Sequence, residues 1–167
     1  MKTLSVFRHA KAERPEGYAD DQDRPLTERG GKDAAAMGSI LARVDPPVDW
    51  IVSSPSRRTR ETTDRLTAAL NYTDQVAWHP DIYAAHPDAL LAVLAAIPPS
   101  AEHAVLVGHN PGLEGLVAGL CAGAPDRLNV RLATAAIAHV VLDVAYWNQA
   151  RWGCGLLQFL IRPKLLR

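Results

Sequence analysis

Apolar residues recur along this chain in short runs that alternate with longer, spaced stripes, and this alternation predicts the architecture. Lys2 to Phe7 is apolar on both faces and reads as a central strand of a buried sheet. Thr27 can cap a helix running to about Arg43, with Ala34, Met37, Ile40 and Leu41 on one stripe. Pro46-Pro47 forbids its continuation. Asp49 to Val52 reads as a second strand, and a second helix runs from near Ser56 to about Leu70, with Thr59, Thr62, Leu66 and Ala69 at helical spacing. Val76 to His79 suits a short edge strand, since Pro80 follows. Pro87 suits the first position of a third helix, which Pro98-Pro99 ends. His103 to Val107 reads as a strand and Leu113 to Cys121 as a fourth helix. Ala135 to Val144 and Gly155 to Ile161 are late strands with no clear helix between them, so they are expected to pair antiparallel. The expectation is an α/β fold: one domain over residues 1–167, a three-layer α/β/α sandwich with a mostly parallel central sheet.

Three of these strands end in polar chemistry. The first stops at Arg8-His9, and the run through Val107 stops at Gly108-His109-Asn110-Pro111-Gly112. The run through Val52 stops at Ser53-Ser54-Pro55-Ser56-Arg57-Arg58. Ligands bind outside the carboxyl ends of strands in open α/β sheets, so Arg8, His9, Arg58 and His109 are expected to meet there. Arginine forks match phosphate oxygens bidentately, and two arginines with two histidines suit a tetrahedral dianion. Metal binding is the first competitor, since histidine is a common ligand. Neighbouring arginines oppose a cation, however, and no carboxylate or cysteine lies at ligand spacing, so no metal is expected. Either histidine taken alone reads equally as a satisfied core residue. Gly108 and Gly112 allow tight turning, and the N–H groups opening the next helix favour an anion. Ser53 and Ser54 can cap the second helix or donate to phosphate. Lys11 to Pro25, with Glu13, Glu16, Asp20, Asp21 and Asp23, reads as a solvated surface loop in preference to a gate.

The 18 Lys and Arg balance the 18 Asp and Glu among 167 residues, so nothing global draws the chain to nucleic acid or to an anionic membrane. Any positive field is local. Cys121 and Cys154 lie far apart without a CxxC spacing, which argues against a disulfide framework and for free thiols in a reducing cytoplasm. Arg8 interrupts the first apolar stretch too early for a signal peptide. Leu132 to Trp147 contains His139 and Asp143 and is too short to span a bilayer. A cytoplasmic location is therefore expected, while the oligomeric state stays open.

These residues resemble the motifs of the histidine phosphatase superfamily, the phosphoglycerate-mutase-like fold. Arg8-His9 resembles its "RHG" signature, Ser53-Ser54-Pro55-x-x-Arg58 with Thr62 its second motif, and Gly108-His109-Asn110 its late histidine motif. Arg8-His9-Ala10-Lys11-Ala12, Asp23-Arg24-Pro25-Leu26-Thr27-x-x-Gly30 and Ile161-Arg162-Pro163-Lys164 are most similar to the short SixA-type phosphohistidine phosphatases. Ala10, where most of the superfamily has glycine, is an exchange that recurs in that branch. The resemblance implies that His9 is the nucleophile and becomes phosphohistidine. Arg8, Arg58 and His109 would hold the phosphoryl oxygens, with Ser54 and Asn110 as further phosphate-binding candidates and Arg57 left on the surface. No cofactor is implied. The implied activity is hydrolysis of phosphohistidine on a protein. A phosphatase or mutase of small phosphomonoesters, and a phosphate- or phosphoprotein-binding module without turnover, are the rivals. Superfamily members acting on sugar esters commonly carry an acid after the second motif. Asp81 is the only carboxylate in that region, and it reads either as that general acid or as a turn residue after Pro80.

Overall fold

A computed structural model describes residues 1–167 and turns each apolar run into the element its period predicts. The strands are β1 (Lys2–Arg8), β2 (Trp50–Ser53), β3 (Ala77–Trp78), β4 (His103–Gly108), β5 (Ile137–Leu142) and β6 (Gly155–Ile161). The helices are α1 (Glu28–Leu41), α2 (Arg57–Leu70), α3 (Pro87–Ala95) and α4 (Gly112–Ala122). The strands form one sheet in the order β3-β2-β4-β1-β5-β6. Pairing is parallel from β3 through β2 and β4 to β1, then antiparallel through β5 to β6. The sheet is thus mixed, with β1 inside it and the two-residue β3 at one edge.

Alternation along the strands makes two cores. Leu4 and Val6 of β1, with Ala104 and Leu106 of β4, pack against Leu90 and Leu94 of α3 and Leu113, Leu116 and Leu120 of α4. Phe7, Val105, Val107 and Ile51 face the other way, onto Met37 and Leu41 of α1 and Leu66 of α2. Full burial of each such side chain is worth roughly 1.5–3 kcal/mol, which fixes the register. Glycine lets the layers close: a Cβ on Gly38 of α1 would lie 2.8 Å from the Ala69 methyl of α2. Thr27 caps α1 as expected, its Oγ1 accepting the Gly30 N–H at 2.9 Å. The cap expected from Ser53 or Ser54 on α2 is not made. Ser56 stands at that position, but its Oγ pairs with Thr59 Oγ1 at 2.8 Å and caps no backbone N–H, while the Ser53 hydroxyl turns back to the Ser54 carbonyl.

One polar chain crosses the second core away from the strand ends. The His103 Nδ1 lies 2.7 Å from the Pro46 carbonyl, which can only accept, so that nitrogen carries the proton. Its Nε2 accepts the Ser5 hydroxyl at 2.9 Å, and Ser5 Oγ accepts the His139 Nδ1–H at 2.9 Å. The His139 ring stacks on Phe159 at 4.7 Å. Burial holds both imidazoles neutral, pushing His139 from 6.5 to about 4, with His103 adding to the shift. An unfolded chain protonates these groups near pH 6.5, well before the folded one does. The unfolded state therefore binds more protons in this window, and the stability present above pH 6.5 is lost as pH falls toward about 4. The melting temperature should drop over that interval, and less steeply in His139→Leu. A flat wild-type profile down to pH 4.5 would contradict the neutral buried pair.

Candidate active site

Parallel pairing of β1 with β4 sets Arg8 opposite Gly108, so the residue that follows each strand emerges beside the other. His9 N–H donates to the Gly108 carbonyl at 3.0 Å, and the His9 and His109 rings lie 5.2 Å apart. Strand β2 pairs on the far side of β4, and Ser54 N–H donates to the Val107 carbonyl at 3.1 Å. The first turn of α2 then directs Arg58 inward, with 7% of its side chain exposed, while Arg57 lies outside on Glu61. Helices α1 and α2 flank one face of the sheet and α3 and α4 the other, so β1 and β4 sit at the switch point where such crevices open. Gly112 opens α4 without a left-handed φ. Its role is close approach, since a Cβ there would collide with the Ala85 carbonyl oxygen. The expected tight turn is present, with three residues between β4 and α4, but neither Gly108 nor Gly112 makes it through a left-handed φ.

The two arginines are anchored by part of their forks only. Arg8 Nη1 donates to the Leu132 carbonyl at 2.7 Å. Arg58 donates from Nη1 to the Asp21 carbonyl at 2.7 Å and from Nη2 to Asp21 Oδ2 at 2.8 Å. The Nε–H groups of both arginines are buried without any partner. A buried, unpaired charged donor is costly, and an oxyanion between the two would satisfy both. No three His, Cys, Asp or Glu side chains converge as metal ligands do.

The histidines are fixed as neutral tautomers. His9 Nδ1 lies 2.7 Å from the Ala10 carbonyl, so Nδ1 carries the proton and Nε2 keeps its lone pair. Burial pushes its pKa down to about 4, and Arg58, Arg8 and Arg24 add to this against the Ala10 bond. His109 falls to about 3 through burial, with His9 and Arg58 adding to it. Its Nδ1 accepts from Arg58 Nη2 at 3.3 Å, and its Nε2–H donates to Ser54 Oγ at 2.9 Å. Ala10, fully buried, donates its N–H to Thr62 Oγ1 at 3.0 Å, which ties the His9 loop to α2.

Several expected ligands are placed elsewhere. Ser54 is buried behind His109 and spends its hydroxyl on that ring, so it bears on the pocket through the imidazole. Both amide hydrogens of Asn110 are taken, by Glu114 Oε1 and by the Leu132 carbonyl, each at 2.9 Å. Its remaining group is an acceptor, which a phosphate does not need. Asp81 is 78% exposed, on a 3-10 turn, with its carboxylate 3.9 Å from the His79 Nδ1. Tyr83, two residues on, takes the pocket side instead, edge-on to His109 at 5.3 Å. The loop expected to be merely solvated also enters: Asp21 meets Arg58, Arg24 and the Tyr83 hydroxyl. Sequence reasoning missed Asp21 and Tyr83. The acid-rich loop was the only signal for the first, and an aromatic just past Pro80-Asp81 the only signal for the second.

Residues 4–82 match the histidine phosphatase superfamily, branch 1. An uncharacterized protein of Mycobacterium tuberculosis (strain H37Rv) is 30% identical over 160 residues, which cover 90% of this chain and 96% of its own. The chain belongs to the histidine phosphatase superfamily. Its architecture there matches the SixA-type branch. A candidate phosphohistidine phosphatase SixA from Nakamurella multipartitia superposes with a TM-score of 0.83 at 30% identity, covering 97% of this chain and 96% of that one. The protein histidine phosphatase SixA, solved with tungstate, superposes with a TM-score of 0.84 at 24% identity over 99% of each chain. In this histidine phosphatase fold, the arginine that points inward is Arg58. Arg58→Ala should lower turnover about a hundredfold or more, the usual loss for a transition-state donor, and Arg57→Ala should leave it near wild type. Equal losses in the two variants would contradict this placement.

Proposed function

We propose that this phosphatase removes the phosphoryl group from phosphohistidine on a protein, in the cytoplasm, through a covalent intermediate on His9. The free Nε2 of His9 attacks phosphorus, and the P–N bond to the substrate imidazole breaks. The Arg8 and Arg58 forks hold the phosphoryl oxygens as charge shifts in the transition state. His109 is kept neutral first by burial and then by His9 and Arg58, and an arriving dianion opposes the second effect, so its Nδ1 can take a proton and donate to a phosphoryl oxygen. The free ring nitrogen of the substrate histidine is protonated from solvent before the P–N bond breaks, so the ring departs as neutral imidazole. A water then attacks phosphorus, the bond to His9 breaks, and inorganic phosphate and free His9 are restored.

The observation that carries the substrate reading is the state of the pocket carboxylate. Asp21 accepts from Arg24, Tyr83 and Arg58, and these bonds hold it ionised far below the usual carboxylate range. The Tyr83 hydroxyl is made a weaker acid by the same contact, through its bond to Asp21. Neither donates a proton readily near neutrality. A sugar alkoxide leaves poorly without such a donor, whereas the phosphohistidine ring, with a pKa of about 6.5, is protonated by solvent itself and leaves as neutral imidazole without an enzyme acid. Names carried by similar structures agree: that of N. multipartitia is a candidate phosphohistidine phosphatase, and the SixA complex holds tungstate, a tetrahedral oxyanion.

His9→Ala should abolish turnover while the fold persists. Wild type quenched during turnover should carry acid-labile phosphate, and the variant should carry none. Wild-type-like turnover in His9→Ala would end the covalent reading. Asp81→Asn should barely change activity on phosphohistidine or aryl phosphates, and wild type should act weakly on alkyl phosphates. Efficient sugar-phosphate hydrolysis that Asp81→Asn abolishes would instead make Asp81 a general acid and the substrate a small metabolite.

A further inference from the structure

The turn Asp21–Asp23 belongs to a loop closed at its base. Ala12 and Leu26 form an isolated antiparallel bridge, Glu13 N–H donates to the Pro25 carbonyl at 2.8 Å, and Arg24 Nε donates to the Glu13 carbonyl at 2.8 Å. From this base one residue reaches the catalytic pocket. Asp21 accepts Arg58 Nη1 at its carbonyl oxygen and Arg58 Nη2 at Oδ2. The same Oδ2 accepts the Tyr83 hydroxyl at 2.8 Å, and Oδ1 accepts Arg24 Nη1 at 2.7 Å.

A carboxylate beside a phosphate-binding arginine has two opposed readings: it occupies the place of the phosphate, or it orients the arginine for it. The geometry of the fork separates them. A guanidinium offers two bidentate edges, one made by its two terminal nitrogens and one by Nε with Nη2. Asp21 engages the terminal pair. The other edge keeps a buried Nε–H without a partner and an Nη2 that lies 3.3 Å from His109 Nδ1. The edge that faces the histidines is thus the one that Asp21 leaves free.

We propose that Asp21 is a positioning residue, which grips the terminal edge of Arg58 and thereby aims its Nε–Nη2 edge at the phosphoryl group beside His9 and His109. The inference rests on the reading of Arg58 as a phosphoryl ligand. Asp21 also supplies the negative charge that a nearly buried guanidinium requires, and it does so at the terminal edge. Its bonds to Arg24 and Tyr83 hold the carboxylate in place. Loss of the side chain leaves the backbone carbonyl on Nη1 and the long 3.3 Å contact of Nη2 with His109 Nδ1, so the terminal edge of Arg58 is no longer gripped at both nitrogens. Misplacement by about 1 Å is enough to cost on the order of a hundredfold in rate.

The test combines oxyanion binding with turnover. Orthovanadate affinity by calorimetry and kcat/KM on an aryl phosphate are measured for the whole chain and its variants. Asp21→Ala should bind vanadate roughly tenfold to a hundredfold more weakly and lose kcat/KM to a similar extent, at an unchanged melting temperature. Asp21→Asn, which keeps an acceptor oxygen, should recover part of both, and it decides the matter alone if the alanine variant unfolds. Asp23→Asn, on the same turn but exposed and free of side-chain contacts to the pocket, should match wild type. Vanadate bound equally well or more tightly by Asp21→Ala and Asp21→Asn would overturn the proposal, since Asp21 would then be a bystander or a competitor. An equal loss in Asp23→Asn would overturn it too, by making the effect one of general loop charge. A wild type that binds no vanadate would instead remove the phosphoryl-pocket reading beneath it.

Discussion

Holding two arginines in a confined pocket without cancelling them is the constraint on which this structure turns. Charge taken out of water needs partners, and a full set of carboxylates would supply them at the expense of any affinity for an anion. The fold meets the need mainly with neutral or shared groups. Arg8 has a backbone carbonyl, and Arg58 has a carbonyl and one carboxylate oxygen that Tyr83 also uses. Each arginine keeps a buried Nε–H in hand. The net charge of the whole chain is zero, so this local surplus owes nothing to a global field.

That surplus also sets the state of the histidines. Burial alone favours neutral imidazole, and the flanking guanidinium groups reinforce it. A nucleophile needs the lone pair that results, and the Ala10 carbonyl decides which nitrogen keeps it. The same electrostatics would make these histidines poor metal-site residues while suiting them to a dianion. His103 and His139 show the contrast within one protein. They too are buried and neutral, but Ser5 and Pro46 satisfy them and no arginine faces them, so their contribution is to folding.

Period and punctuation carried most of the fold. The apolar runs of β1 and β4, prolines 46, 47, 98 and 99, and the missing helix before Gly155 sufficed to place the strands and the antiparallel pair that ends the chain's sheet. The pairing of Arg8-His9 with Gly108-His109 was legible for the same reason, because parallel strands of similar length end together. What escaped was set by side-chain direction. Asn110 and Ser54 stand at the right places in the chain, but Asn110 turns its donors to Glu114 and Leu132, and the Ser54 oxygen accepts the His109 Nε2–H. Asp21 lies in a segment whose composition says only that it is polar. Its contact with Arg58 spans 37 positions and depends on how the loop closes at Ala12 and Leu26, which no local pattern encodes.

The segment after β3 shows how a small change in local geometry bears on chemistry. Pro80 opens a single 3-10 turn, and in that tight coil Asp81 projects to solvent, Ile82 is buried in the α3–α4 core and Tyr83 comes round to the pocket. A carboxylic acid there would be free to protonate a leaving alkoxide. Tyr83 instead donates its hydroxyl to Asp21, and each group shifts the other away from proton donation at neutral pH. The pocket is therefore strong in anion binding and poor in acid catalysis. Under the function proposed above, that combination suits a leaving group that needs no acid from the enzyme, a condition the phosphohistidine ring meets once solvent has protonated its free nitrogen.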